Sequence, residues 1–340
     1  MESPNGELLL TVELTQPSTP DGRTTNGSRP YFKLERGASG ARDVVLRDSP
    51  MGIRLSDREF LENLEFLSAD PVKKLEEHYT MPHGKRRECS NECNATTLRL
   101  RNRAGLVLEI DLRAYNDGVA FRYRLPGADQ ALHTLLTEHT GFSLPSSSRL
   151  WVQPYDETAT HSPAYEAFYE DGIAAGTPSH ANGWAFPLLF CTANQKHWAL
   201  ITEANTTANF CATRLVNQGT DDLYRVQLPD PRDGNRAGSA NPIARLPWEM
   251  PWRVIVVGGS PGTIVESTLV TDLSQPSTLT DTSWIHPGRV AWSWWSNQRS
   301  PKDAKAQMQF IDLAAEMGWE YVLVDANWPI MDNGNIHEVI

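Results

Sequence analysis

The chain is poor in long apolar runs, in positive charge, in cysteine and in compact catalytic signatures. No stretch of its 340 residues approaches the ~18 apolar residues of a membrane span, so insertion into a bilayer is not expected. Basic side chains number 31 against 42 acidic ones, a formal net charge of -11. Without a basic cluster, neither nucleic acid nor an anionic membrane surface fits as a partner. Among the four cysteines only Cys89 and Cys93 lie close together. With no second close pair and no histidine at ligand spacing, buried or idle thiols are expected rather than a zinc site. Met1-Glu2-Ser3-Pro4 lacks the basic segment and apolar core of a signal peptide, so either the chain is cytosolic or its leader is not included. There is no phosphate loop, dinucleotide fingerprint, nucleophile elbow or zinc motif, and no internal repeat. Asn-x-Ser/Thr triplets at Asn26, Asn94 and Asn205 are expected by chance in so polar a chain.

What is present is mostly β pattern. The length suggests roughly two domains. From Glu7 to about Leu269, short alternating segments recur at Leu8 to Leu14, Tyr31 to Leu34, Thr97 to Arg101, Val107 to Ala114, Val119 to Leu125, His197 to Thr202, Leu223 to Leu228 and Trp252 to Val257. Asp21-Gly22, Asn116-Asp117-Gly118, Pro126-Gly127 and Asp233-Gly234 supply turns between them. Many strands without helical patterns between them predict a large sandwich of antiparallel sheets. The hairpin Ala114 to Tyr123 should put Val119, Phe121 and Tyr123 on one face and Arg122 and Arg124 on the other. Thr15 to Ser28 reads as a loop and Ser274 to Ser283 as a linker.

Trp284 to Trp328 changes period. Gly288 to Trp295 reads as a short strand closed by Ser296-Asn297-Gln298. Ser300, Pro301 and Asp303 are expected to open a helix whose buried face carries Met308, Phe310, Ile311, Ala314, Ala315 and Met317, with Gly318 ending it. Glu320 to Asp325 reads as a second, parallel strand. In such units ligands collect beyond the carboxyl ends of the strands, where this sequence places Trp294-Trp295-Ser296 and Asp325-Ala326-Asn327-Trp328. Indoles beside an acid and an amide suit a sugar, whose ring face stacks while its hydroxyls bond. Packing inside a barrel explains the same tryptophans.

Two further passages carry candidates. Trp151 to Gly172 is irregular and aromatic-rich, with Glu157, Glu166, Glu170 and Asp171 close in sequence. Such carboxylates can give part of a calcium shell, which needs six to eight oxygens, or can simply form a solvated loop. Asn182-Gly183-Trp184, in a loop before the strand Phe186 to Phe190, can reach a ligand or merely turn the chain.

Taken in order, Ser49-Pro50-Met51-Gly52, Ala114 to Leu125 (AYNDGVAFRYRL), Tyr165-Glu166, Glu203-Ala204, Pro251-Trp252-Arg253-Val254-Ile255 and Trp284 to Trp328 resemble glycoside hydrolase family 97, the calcium-dependent α-glucosidases and α-galactosidases. The resemblance implies a large N-terminal β-sandwich over 1–272, a linker over 273–283, and the start of a (β/α)8 barrel over 284–340. It implies that Glu166 binds calcium from the sandwich side. Asn182, Gly183 and Trp184 would lie near substrate, and Trp295 and Asp325 would line the sugar pocket. The substrate would be an oligosaccharide or α-glycoside, and the location periplasmic or secreted. A full barrel takes about 250 residues, and the family's catalytic acid and its base or nucleophile lie on later strands. No catalytic residue is therefore expected in this chain, which should be an N-terminal fragment inactive by itself. The alternative is a non-catalytic carbohydrate-binding or structural sandwich. Two parallel strands and one helix leave Val290, Trp292, Phe310, Ile311, Leu313, Val322 and Val324 under-covered, so limited proteolysis is expected to remove the part after about 284 first.

Overall fold

Strand Val107–Tyr115 shows how the sheets are specified. Leu108, Ile110, Leu112 and Ala114 are buried, while the alternate residues Glu109, Asp111 and Arg113 stay partly exposed. The outward set pairs across strands: Arg99 Nε lies 2.9 Å from Glu109, Arg122 Nε 2.9 Å from Asp111 and Arg124 Nη2 2.8 Å from Glu109. One face thus packs and the other is stitched by charge. The next strand, Gly118–Leu125, buries Val119, Phe121 and Tyr123 and leaves Arg122 and Arg124 in those ion pairs, as the hairpin pattern requires.

The computed structural model describes residues 1–15, 27–159, 162–219 and 221–340. Most of the expected Thr15 to Ser28 loop, with Asp21-Gly22 and Asn26, lies outside them. The chain divides into two compact units, Met1–Thr80 with Glu88–Pro276, and Met81–Arg87 with Ser277–Ile340.

The first unit is antiparallel β. A six-stranded sheet runs in the order Leu8–Thr15, Arg29–Arg36, Asp43–Pro50, Gly141–Ser143, Leu223–Gln227, Arg214–Val216. An eleven-stranded sheet contains Glu88–Arg101, Val107–Tyr115, Gly118–Leu125, Trp252–Gly258, Trp198–Ala204, Leu188–Cys191 and Arg149–Val152, and a four-stranded sheet flanks them. The main core lies between the two large sheets. Phe32 of one packs on Phe121 of the other with ring centroids 4.9 Å apart, and Phe142 meets Phe32 edge-on. The opposite face of the large sheet carries a second cluster of Cys93, Tyr115, Ala120, Trp252, Val254 and Val256, closed by Leu269 and Leu273. This is the large antiparallel sandwich anticipated from the alternation.

Two short helices, Pro261–Glu266 and Leu269–Asp272, interrupt the β pattern near its end, too short for their own periodicity to show in the sequence. Strand Lys73–Thr80 lies outside the alternating apolar segments: it is a polar strand with Leu75, Glu77 and Tyr79 half-buried on one face. All four cysteines are free, and burial pushes the thiols of Cys93 and Cys211 up to about 11, so both stay protonated and unreactive near neutrality.

The second unit holds a parallel pair, Val290–Trp292 with Tyr321–Leu323, connected through helix Ala304–Met317. The first strand is shorter than its apolar run because Ser293–Trp295 already turns into a 3-10 helix, and the second spans only Tyr321–Leu323. The helix begins later than expected. Asp303, not Ser300, caps it, accepting from Ala306 N at 3.0 Å, while Ser300 is buried against Ser293 Oγ at 2.7 Å. Its buried residues are Ala304, Gln307 and Ala314; Met308, Ala315 and Met317, expected inside, face out. Gln307 is fully buried because its amide nitrogen donates to Ser293 Oγ at 2.9 Å and Ser300 O at 2.7 Å, an anchor that periodicity of apolar residues does not reveal. Gly318 ends the helix at φ 64, the left-handed stop its position predicts.

Just past that stop, Glu320 receives the Arg289 backbone N–H at 2.7 Å and its guanidinium at 3.1 Å. The side-chain bond to Arg289 and the backbone amide hold the carboxyl at about 2, below its ordinary 4.5. A depressed carboxyl stabilises above its unfolded value and loses that contribution as pH falls through its folded one. The contribution should therefore disappear between about 4.5 and about 2, and Glu320→Gln should flatten the acid titration of this unit in that window, read by tryptophan fluorescence.

Candidate functional site

Glu166 projects from the passage between strands Arg149–Val152 and Glu170–Ala174. Its side chain is exposed, and Phe168, two residues on, is 94% exposed. The loop beneath it is held by polar groups rather than by burial. Gln153, at the end of its strand, uses one side-chain nitrogen to donate to Tyr165 O at 2.9 Å and to Ala167 O at 2.7 Å. Asp156 Oδ2 accepts the backbone N–H groups of Ala164 at 2.6 Å and Tyr165 at 3.1 Å. The Tyr165 ring meets Tyr155 edge-on at 6.1 Å. Burial raises both phenols above the ordinary tyrosine value, followed by the Tyr165 phenol and Asp233 for Tyr155 and by Glu203, Asp233 and Asp156 for Tyr165, so both stay protonated.

Behind this loop Tyr155 donates to Asp233 Oδ2 at 3.1 Å, Ser162 Oγ donates to Oδ1 at 3.1 Å, and the Arg214 guanidinium lies 5.1 Å over the Tyr155 ring. Glu170 and Asp171 do not join Glu166. They belong to the strand Glu170–Ala174, paired with Val152 and Trp151. Among the described residues no group of three or more His, Cys, Asp or Glu is spaced to hold a metal ion. Glu166 is an exposed oxygen donor of the hard kind calcium takes, and a single carboxylate supplies at most two of the six to eight oxygens that calcium needs.

Asn182, Gly183 and Trp184 are placed differently from one another. Asn182 Nδ2 donates to Thr158 Oγ1 at 3.2 Å, at the rim of the same loop region. Gly183 has φ +113, and a Cβ there would lie 2.5 Å from Leu215 O, so the position is a close backbone crossing. Trp184 is 1% exposed and belongs to the main core. Its backbone bonds Leu215 in both directions, at 2.7 Å and 2.8 Å, and its indole is enclosed, so any part this loop plays near substrate would fall to its neighbours and not to the Trp184 ring.

A further charged group is fully interior. Arg253 binds Glu138 through Nε at 2.7 Å and Nη2 at 2.5 Å, and Glu203 through Nη1 at 2.5 Å. Glu203 also accepts from Thr213 N and Oγ1. Two carboxylates committed to one guanidinium are a brace between strands, not an acid and a base flanking a bond.

In the second unit, Trp292 Nε1 donates to Asp325 Oδ2 at 2.8 Å, and Trp295 stands edge-on to Trp292 at 5.4 Å. The two sites named from sequence thus meet through Trp292 at the carboxyl ends of the parallel strands. Trp295 is 75% exposed, an open indole beside an acid. Sequence reasoning passed over Trp292, Gln153 and Asp156. Trp292 reads as a strand residue, and Asp156 cannot be told from its neighbour Glu157 without the loop's path.

Residues 1–276 match the glycosyl-hydrolase 97 N-terminal family model. The chain is 32% identical over 287 residues to a probable retaining alpha-galactosidase of Streptomyces bingchenggensis, covering 84% of this chain and 41% of that protein. It is 25% identical to a retaining alpha-galactosidase of Bacteroides thetaiotaomicron, covering 100% of this chain and 52% of that one. The chain thus spans about half the length of these relatives. Among solved structures, a beta-arabinopyranosidase superposes with a TM-score of 0.84 at 28% identity, over 96% of this chain and 50% of that one. A glycoside hydrolase family 97 enzyme of Pseudoalteromonas sp. strain K8 gives 0.75 at 19% identity, over 95% of this chain and 46% of that one, a likeness of fold.

Proposed function

This chain belongs to glycosyl hydrolase family 97, and on that premise we propose that it forms the N-terminal part of a glycosidase acting on α-galactosides. The observation that carries the reading is the match to the beta-arabinopyranosidase over 96% of the chain, which extends past the sandwich into the second unit. The two alpha-galactosidase relatives favour galactose over glucose as the sugar and retention as the outcome. Retention needs two carboxyl groups about 5–5.5 Å apart across the scissile bond. This chain is proposed to contribute neither, because the family's acid and its base or nucleophile lie on later barrel strands.

Its own contribution is binding and orientation. Glu166 would hold calcium as one ligand, and the ion would supply positive charge to polarise the leaving oxygen. In the second unit Trp295 would stack a pyranose face, with Asp325 taking a hydroxyl; in the first unit Asn182 would offer its amide to a sugar hydroxyl. Export to the periplasm or beyond the cell belongs to the same proposal.

The test is hydrolysis of nitrophenyl α-galactoside and α-glucoside by the enzyme carrying this chain. The galactoside should be preferred, the first product should keep its α configuration by NMR, and a chelator should remove activity that added calcium restores. The 340-residue chain alone should show no turnover. Turnover by it would overturn the assignment of the chemistry to residues outside it, and an inverted product would overturn retention.

A further inference from the structure

We propose that the first unit carries a binding cavity for a neutral oligosaccharide on the face of the large sheet that bears the second apolar cluster. The cavity encloses about 190 Å3 between strands Lys73–Thr80, Glu88–Arg101, Val107–Tyr115, Gly118–Leu125 and Trp252–Gly258. Its floor is the open end of that cluster: Trp252 is enclosed, and Leu75 and Ala95 pack beside it half-buried. The guanidiniums of Arg113 and Arg122 lie against the Trp252 ring, 5.0 Å and 4.6 Å from its centroid. Stacking on an indole holds a guanidinium plane in place, so the N–H groups left over keep fixed directions into the cavity.

The charged walls leave both donors and acceptors unused. Arg122 gives Nε to Asp111 at 2.9 Å and Nη1 to Glu249 at 2.8 Å, while its Nη2 has no partner among the described residues. Lys73, exposed at the rim, makes no hydrogen bond or ion pair with them either. On the acceptor side, Asp70 takes one bond on each oxygen from Arg99, at 2.6 Å and 3.3 Å, and Asp111 Oδ1 takes only Thr97 Oγ1, at 2.8 Å. A carboxylate oxygen accepts two bonds, so both aspartates keep free lone pairs. That mixture decides the class of ligand. A phosphate or carboxylate would answer the donors and be repelled by Asp70 and Asp111. A hydroxyl both donates and accepts, so a neutral polyol answers both sets while its C–H face covers the apolar floor. Only the choice of a galactoside as the first probe rests on the function proposed above.

The experiment titrates the full chain with raffinose, with maltotriose and with inorganic phosphate in turn, followed by NMR at the Nε–H signals of Arg113 and Arg122 and the backbone amides of residues 95–97 and 111–113. Saturable shifts are expected there with raffinose and not with phosphate. Lys73→Ala removes one charged donor from an exposed position and should weaken the sugar about tenfold. Ala95→Leu fills the floor without touching a polar group and should weaken it at least as much. Trp295→Ala should leave these shifts and their midpoint unchanged. Maltotriose binding at these signals without raffinose would keep the cavity and count against the galactoside reading. Shifts with phosphate alone, sugar shifts confined to residues outside the cavity, or midpoints within twofold of the unsubstituted chain for both Lys73→Ala and Ala95→Leu would overturn the proposal.

Discussion

Replacing Arg253 by alanine should lower the unfolding free energy by about 3–5 kcal/mol, as removal of one partner from a buried ion pair does. The guanidinium is 1% exposed and holds Glu138 and Glu203 at once. Burial opposes its charge, but the carboxylates of Glu138 and Glu203 outweigh that and raise its pKa further, so the cation persists throughout the accessible pH range. Alanine would leave two carboxylates without their cation, Glu138 almost fully enclosed. Methionine would fill the volume and should cost nearly as much, because the uncompensated carboxylates, rather than the cavity, dominate the loss. Lysine, a single point of charge, cannot reproduce a three-nitrogen contact and should fall between. Urea denaturation reads all three. Since Glu138, Glu203 and Arg253 join separate strands, the loss should appear in the first unit's transition and leave the second unit's unchanged.

Trp184→Ala is expected to cost about 3–5 kcal/mol, the range for deleting a large enclosed aromatic. The prediction distinguishes two roles. An indole facing a sugar could be removed with little effect on folding and a large effect on substrate affinity. An indole inside the main core, as Trp184 is, reverses that order. Phenylalanine should recover part of the stability. Gly183→Ala tests the neighbouring backbone: the new methyl would meet Leu215 O, so stability should fall by about 1–3 kcal/mol without any change of side-chain chemistry. Calorimetric melting measures both.

The sheets were legible in the sequence because alternation and turn chemistry carry them. Val107–Tyr115, Gly118–Leu125 and Trp252–Gly258 fall within a residue or two of their apolar patterns. Lys73–Thr80 escaped because KKLEEHYT looks solvated, although it pairs residue by residue with strand Glu88–Arg101, from Lys73 opposite Ala95 to Thr80 opposite Glu88. The helix near the end was readable as a helix, and Ala314 goes inward as its spacing predicts, but the rest of its packed face was only partly legible. Small Ala304 and Ala314 and polar Gln307 go inward, whereas hydrophobicity pointed to methionines that remain outside. For the site, the exposed acid of Glu166 and the Trp295–Asp325 region could be named from residue types and the family resemblance. The support could not. Gln153 lies 13 positions before Glu166, and only the path of the loop returns it to the flanking carbonyls.

The distribution of indoles gives the molecule two optical reporters. Trp184, Trp248 and Trp252 are enclosed in the sheet unit, whereas Trp284, Trp295 and Trp328 stand largely in water in the other. Acrylamide quenching should therefore extinguish red-shifted emission from the second population first and leave a blue-shifted remainder from the first. A single unlabelled sample would then report separately on melting of each unit, and on any sugar that comes to rest against Trp295.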